Sequence, residues 1–327
     1  MKKASIAIAV IVVLLAFVLV RMRPKLDGNQ KDFFRVEIVS QVEIDPIIQL
    51  RKGFRDEFTN SQFARTKTVT LSEVNAQGDQ ALMNQIADKI AVDKPNLVYV
   101  LGTSAAQTIQ KRAPDILLVQ GAVTDPVAAG LAASWTGSGR KYVATSDLPP
   151  IATQLRLIQE LTPKIKRLGV IYNPGESNSV AVVSRLRGEV RGGLRLVEKP
   201  ISNSADVATV LAALQGRIDG IYIPPDNTAH SALPVIGKFC RDNRLPLYAS
   251  VRSALDSGAL ATMSLDFVEL GKESADLALQ VLNGSDPGSI PIQVNRNPAV
   301  SISSSTAGFL GVDLAAFEGK PNIVVIK

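Results

Sequence analysis

Val170-Ile-Tyr-Asn-Pro-Gly-Glu-Ser-Asn-Ser179 is an apolar run, short enough for a buried strand, that stops in small polar residues and leads into a helix-like segment. Gly121-Ala-Val-Thr-Asp-Pro-Val127 and Ile223-Pro-Pro-Asp-Asn-Thr228 repeat the pattern. In an open parallel sheet the loops at the carboxyl ends of the strands all open on one side, and ligands bind there. These three loops offer hydroxyls, amides and carboxylates without a catalytic base beside them. Such a set suits holding a small polar molecule, not transforming it.

Working outward, the chain alternates short apolar runs with helical periodicity. Phe34–Val39 reads as the first strand, and Pro46–Thr59 as a helix whose Ile47, Leu50, Phe54 and Phe58 mark a core face. Strands follow at 66–74, 96–101, 116–123 and 141–145, with helices at 79–93 and from Gly102 onward. The alternation restarts with a helix at 151–161, a strand at 167–172 and a helix at 179–190. Strands at 194–197, 220–223 and 247–249 then alternate with helices at 205–214 and 228–243. Strands alternating with helices of this length imply right-handed βαβ units and parallel sheets. Two such halves in 327 residues predict an α/β protein of two lobes with a cleft between them.

The loops, read with Asn75-Ala-Gln-Gly-Asp-Gln80, Ala91-Val-Asp-Lys-Pro-Asn-Leu97, Thr103-Ser-Ala-Ala-Gln107, Gly258-Ala-Leu-Ala-Thr262, Asp266 and Glu269-Leu-Gly271, resemble the periplasmic substrate-binding proteins of ABC importers. The branch they resemble is associated with aromatic amino acids such as tryptophan and tyrosine. The matching segments run in family order from about Arg35 to Asp313. The resemblance implies a type I periplasmic-binding-protein fold, two Rossmann-like lobes joined by a three-segment hinge. Crossings are expected near 146–150, 263–266 and 287–291. The first lobe would comprise 34–146 plus 264–290, and the second 147–263 plus 291–327. The helix 267–283, closed by Gly284, would return to the first lobe, and strands at 290–294 and 300–303 would finish the second.

The amino terminus reads as a membrane segment. Ala4 to Val20 carries no charge and is flanked by Lys2-Lys3 and by Arg21-Met-Arg23. As a helix it would be about 25 Å long, within the range of spanning segments. No small-residue cleavage site follows Val20, so residues 1–23 are expected to be an uncleaved signal anchor, with cleavage as the alternative, and 24–33 a tether. The flanking charges nearly balance, and the resemblance to exported receptors puts the globular part outside the membrane. Of the net charge of +6, residues 1–32 carry +4. The rest is too dispersed for a basic face or recognition helix, which argues against nucleic acid as a partner.

Candidate ligand contacts fall at strand-to-helix junctions. Thr103, Ser104 and Ala105 open a helix whose free N–H groups favour an anion such as a ligand carboxylate, although either hydroxyl could simply cap its own helix. Thr124 and Asp125 follow a strand; Asp125 suits a ligand ammonium or a cap equally well. Asn173, Glu176, Ser177 and Asn178 form the opposing rim, and Asp226, Asn227 and Thr228 repeat it one strand over. Asp147 and Asp266 lie at the first two crossings, and Phe267 could supply an aromatic wall with Tyr172 or Tyr222, the last better suited to core packing. Glu43-Ile-Asp45 stands where the resembled family commonly has Glu-His-Pro, and Ala249-Ser250-Val251 lacks an acidic residue often found there. Both differences bear on side-chain selectivity.

The lone Cys240 and the lone His230 fit packing and a partnered rim position, with no metal cluster and no cofactor implied. The expected function is the extracytoplasmic, monomeric receptor of an ABC permease, binding a small polar solute in the cleft between the lobes, an amino acid and, by the resemblance, an aromatic one. A membrane-tethered sensor of the same fold is the alternative. A lactose-repressor-type regulator would need a helix-turn-helix, and no Ser-His-Asp set or phosphate-binding glycine loop points to an enzyme.

Overall fold

A computed structural model describes residues 33–294 and 298–327. The strands are β1 (Phe33–Ser40), β2 (Thr68–Asn75), β3 (Leu97–Leu101), β4 (Leu118–Gly121), β5 (Tyr142–Ser146), β6 (Arg167–Tyr172), β7 (Arg195–Pro200), β8 (Gly220–Ile223), β9 (Leu247–Ala249), β10 (Ala261–Ser264), β11 (Gln293–Val294), β12 (Ala299–Ser303) and β13 (Ile323–Ile326). The α-helices are α1 (Asp45–Asn60), α2 (Gln62–Thr66), α3 (Gln80–Asp93), α4 (Thr103–Arg112), α5 (Ile151–Leu161), α6 (Ser177–Glu189), α7 (Val207–Leu214), α8 (Asn227–Ser231), α9 (Leu233–Asp242), α10 (Phe267–Leu282) and α11 (Ser304–Leu310).

Two sheets result. The first has strand order β11-β5-β4-β3-β1-β2 and is parallel throughout. The second, β13-β12-β10-β9-β8-β6-β7, is parallel except where β12 runs against β10. Helices cover both faces of a parallel sheet, so its central strands are apolar on both sides. β3 shows this: every residue of Leu97-Val-Tyr-Val-Leu101 is buried.

The chain passes between the sheets after β5, after β10 and after β11. The first passage lies between Ser146 and Arg167 and the second between Ser264 and Gln293, stretches that overlap the expected crossings. The third does not overlap its expected place. Residues 290–294 were expected to finish the second sheet, but Gln293 and Val294 pair with Thr145 and Ser146 of β5 at the edge of the first. The chain therefore returns to the second sheet between Val294 and Ala299. A second difference concerns the helix expected at 228–243, which is two helices divided at Ala232. Pro234 stands in the first turn of α9, where its missing N–H costs nothing, and it cannot continue α8.

Among the described residues, no helix is long and apolar enough to cross a membrane. The anchor and most of the tether lie outside the described residues.

The return helix α10 packs against α1 at backbone distance. A Cβ at Gly271 would fall 2.2 Å from the Leu50 carbonyl oxygen, and one at Gly53 only 1.9 Å from that of Val268. Phe54 and Phe58, on the same helix as Gly53, are fully buried, and Phe54 stacks on Tyr99 with ring centroids 3.9 Å apart. Gly271→Ala or Gly53→Ala must force the two helices apart, because the obstructing atoms are backbone. Each substitution is expected to destabilise by about 1–3 kcal/mol, read as a lower urea midpoint without a change in slope.

Candidate functional site

The carboxyl ends of β6 and β8 are tied together by two carboxylates. Asp226 caps α8, its Oδ1 accepting from Ala229 N at 2.7 Å. Its Oδ2 accepts from Asn173 N and from Ser179 Oγ, each at 2.6 Å. Glu176 accepts from Asn227 N at 2.8 Å, and from Thr228 N and Oγ1 at 3.0 and 2.7 Å. Burial and then the neighbouring Glu176 charge push the Asp226 carboxyl well above its ordinary range. Asn173 donates from Nδ2 to Thr228 Oγ1 at 3.0 Å and accepts from Gly175 N at 2.8 Å. These residues hold the loops in place and spend their hydrogen-bonding capacity on one another.

Between the sheets lies a narrow cavity. The first half contributes Ile44, Pro46, Ile47, Gly102, Thr103, Ala122 and Thr124 to its wall. Asp147, Pro149, Met263, Leu265, Phe267 and Pro298 line it near the passages between the sheets. From the second half come Asn178, Pro225, Asp226, Asn227, His230, Ser250 and Val251. Four buried polar atoms on these walls have no partner: Asp147 Oδ1, Asn178 Oδ1, His230 Nε2 and Ser250 Oγ. Buried polar groups are nearly always hydrogen-bonded, so unpartnered atoms gathered on one cavity call for an explanation.

The character of three of these atoms is set by what surrounds them. Asn178 donates from Nδ2 to Pro225 O at 2.8 Å and to Glu176 Oε2 at 3.3 Å, so its amide oxygen is the atom left free. The His230 ring donates to the Pro224 carbonyl; because Nε2 has no partner, Nδ1 is the donor and Nε2 keeps its lone pair. Burial pushes the His230 pKa down to about 4, which keeps the ring neutral. Burial raises Asp147 to about 6, partly offset by the Thr124 hydroxyl hydrogen-bonded to its carboxylate. At neutral pH the cavity therefore presents a carboxylate, an amide oxygen and an imidazole nitrogen, all acceptors.

Of the expected contacts, Thr103, Thr124, Asp147, Asn178, Asp226, Asn227 and Phe267 line this cavity. Ser104, Asn173, Glu176 and Thr228 line a broader, open groove beside it, with Asn227 on both walls. Ala105 is buried in the first sheet's core. Asp125 accepts from Ala128 N at 3.0 Å and is paired with Arg185 of α6 at 2.5 Å, so neither oxygen waits for an ammonium. Ser177 donates to Gln107 Oε1 at 3.0 Å, a second link between the halves. Asp266 is exposed, lies outside the lining of this cavity and caps α10 through Val268 N and Glu269 N.

The aromatic wall is Phe267. Tyr172 turns its hydroxyl to Glu198 at 3.3 Å, and Tyr222 is buried with its hydroxyl on Gln154. Asp45 bonds Gln49 at 2.8 Å, leaving Ile44 as the residue of Glu43-Ile-Asp45 that faces the cavity. His230 and Ser250 were not expected as contacts. Each stands just beyond a strand end, and that position was the available signal: Ser250 directly follows β9, and His230 lies one turn into the helix capped by Asp226.

The sequence and the fold have counterparts. The family model described as ABC transporter substrate binding protein matches residues 35–316. The chain belongs to that family. A "Tyrosine-binding protein" of Clostridioides difficile is 35% identical over 279 residues, 85% of this chain and 80% of the relative. A conserved domain protein from Vibrio cholerae superposes with a TM-score of 0.84 at 29% identity, covering 90% of this chain and 99% of that one. The ABC domain from Streptococcus pneumonia in complex with L-Trp also gives 0.84, at 23% identity over 90% of this chain and all of the other. The ligand-free, open structure of a substrate binding protein with adhesive properties from Clostridium difficile gives only 0.69 at 29% identity, over 90% of this chain and 99% of that one.

His230 also carries a stability signature. Its folded pKa of about 4 lies below the ordinary histidine value of 6.5, so the unfolded chain takes up a proton that the folded protein does not. Stability should fall as pH drops from about 6.5 toward 4, by up to about 3 kcal/mol from this group. In His230→Gln, which does not titrate, that part of the loss should vanish. Urea unfolding at pH 7.5, 6 and 4.5 checks it.

Proposed function

We propose that this substrate-binding protein is an extracytoplasmic receptor that delivers an aromatic amino acid to an ABC permease, gripping it between the two sheets. The observation that carries the reading is the set of unpartnered acceptors on one cavity: Asn178, His230 and Ser250 from the second half and Asp147 at the first passage, in a cavity whose remaining wall the first half supplies. A buried acceptor left empty costs about 1–3 kcal/mol, and an ammonium supplies three donors at once. Asp147 is its charge partner. The ligand carboxylate rests at the start of α4, where the N–H groups of Thr103, Ser104 and Ala105 precede the first intrahelical bond, from Ala106 N to Gly102 O. Phe267 with Ile44 and Ile47 forms the wall for the side chain. The 35% relative named for tyrosine and the neighbour that holds L-Trp support the same ligand class.

The bridges Asp125–Arg185 and Gln107–Ser177 support a reading of this conformation as the closed one. So does the better superposition on the L-Trp complex than on an open structure of higher identity. Residues 1–23 anchor the receptor to the outer face of the membrane and 24–33 tether it. The receptor works as a monomer.

Calorimetric titration of the full chain with L-tyrosine, L-tryptophan and L-phenylalanine tests the reading. At least one should bind and raise the melting temperature. Asp147→Asn should weaken it at least tenfold, about 1.4 kcal/mol. Because binding needs Asp147 ionised, affinity should be level above pH 7. Below about 6 it should fall roughly tenfold per unit, and Asp147→Asn should abolish that slope. No binding by any of the three, or full affinity in Asp147→Asn, would sink the assignment.

A further inference from the structure

His230 is the chain's only histidine, and its ring is buried against the cavity with Nε2 unpartnered. We propose that His230 Nε2 reads a neutral hydrogen-bond donor on the ligand's aromatic side chain, so that the receptor selects a phenol hydroxyl or an indole N–H over an unsubstituted phenyl ring. This rests on the proposed amino-acid ligand and adds to it the polar group by which one aromatic side chain is told from another.

The residues flanking His230, namely Ala229, Ala232 and Leu233, belong to one buried apolar cluster with Ile47, Val251 and Phe267. Leu148, next to Asp147, packs against a different cluster. His230 thus has apolar neighbours along its own chain segment, while the free carboxylate oxygen belongs to Asp147 at the passage between the sheets. An ammonium is drawn to the carboxylate, because a charged acceptor makes the stronger hydrogen bond. A neutral imidazole among apolar side chains is the complement of a neutral donor carried on an apolar ring.

The tautomer is held in place as well. With Nδ1–H committed to the Pro224 carbonyl, Nε2 can only accept. Burial keeps the ring unprotonated well below neutral pH, so it does not become a donor. A ligand with a phenyl ring leaves this lone pair buried and empty. Sites built to hydrogen-bond a ligand hydroxyl reject the analogue that lacks it far more strongly than apolar pockets reject a missing methylene.

Calorimetry with L-tyrosine, L-tryptophan and L-phenylalanine on the full chain, its His230→Leu variant and its His230→Gln variant provides the test. The wild-type protein should bind L-tyrosine or L-tryptophan at least tenfold more tightly than L-phenylalanine. His230→Leu should lose that preference and bind L-phenylalanine more tightly than the wild type does, because the empty lone pair is gone. His230→Gln, which retains an acceptor, should keep part of it. With ¹⁵N-histidine label the single ring gives unambiguous signals: Nε2 should shift on adding the preferred ligand and stay put with L-phenylalanine. Equal wild-type affinities, an unmoved Nε2 signal, or an equal loss for all ligands in His230→Leu would overturn the proposal while leaving amino-acid binding intact. If none of the three amino acids binds the wild-type protein, the ligand class itself falls and this inference with it. Should His230→Leu fail to fold, the wild-type preference and the ring signal decide.

Discussion

Two carboxylates buried at one end of the second sheet organise the site. A buried charge costs several kcal/mol unless it is paired or hydrogen-bonded, and Asp226 and Glu176 are 1% and 7% exposed. Their donors are the backbone N–H groups of Asn173, Asn227, Thr228 and Ala229, with hydroxyls from Ser179 and Thr228. Satisfying the carboxylates therefore fixes the loops after β6 and β8 in one mutual arrangement. That arrangement turns the free oxygen of Asn178 outward. It also starts α8 at Asp226, so that His230, whose N–H bonds the Asp226 carbonyl at 2.9 Å, stands one turn further on. The scaffold carboxylates and the free acceptors are consecutive layers of one construction.

That layering explains what could be read from sequence. Apolar runs ending in Thr, Asn, Asp and Ser locate the strand ends, and Thr103, Thr124, Asn178, Asp226 and Asn227 all reach the cavity wall. The order of strands and helices was likewise legible, because the burial of Ile47, Leu50, Phe54 and Phe58 follows from their spacing. What the pattern does not encode is the direction of a carboxylate. An Asp at a helix start suits a cap and a ligand contact equally, and only packing decides. Asp226 and Asp266 became caps, and Asp125 was claimed by Arg185, sixty positions along the chain. Asp147 follows a strand that leads out of its sheet, and its Oδ1 stayed free.

The misplaced strand has a similar cause. β11 has only two residues, too few for any periodicity, and it joins the first sheet because the edge of β5 is there to receive it. Sheet membership of so short a segment is a tertiary property. The division of α8 from α9 was more accessible, since Pro234 is visible in the sequence and cannot extend a helix. For His230 the signal in the sequence was its place one turn into the helix that Asp226 caps; that its Nε2 is left unpartnered on the cavity wall is a product of packing.

The unpartnered atoms also bear on how such a receptor would move. On the proposed reading, closing the two halves without ligand buries acceptors with nothing to accept, at about 1–3 kcal/mol each. Set against this are the rim contacts. Arg185 is about half exposed in its pair with Asp125, and exposed ion pairs contribute about 0–1 kcal/mol. The contact between Ser177 and Gln107 is neutral and adds about 0.5–1.5 kcal/mol. Empty closure is then uphill, and the same atoms reverse the sign once donors fill them. A ligand shifts an equilibrium only by its differential affinity for the two states. Here the differential would come mainly from acceptors that water satisfies in an open cleft and that the ligand must satisfy in a closed one. Selectivity and closure then have one origin: a molecule that leaves His230 or Asp147 unpartnered binds less tightly and also holds the halves together less well, so the permease meets a closed receptor chiefly when the cargo is right.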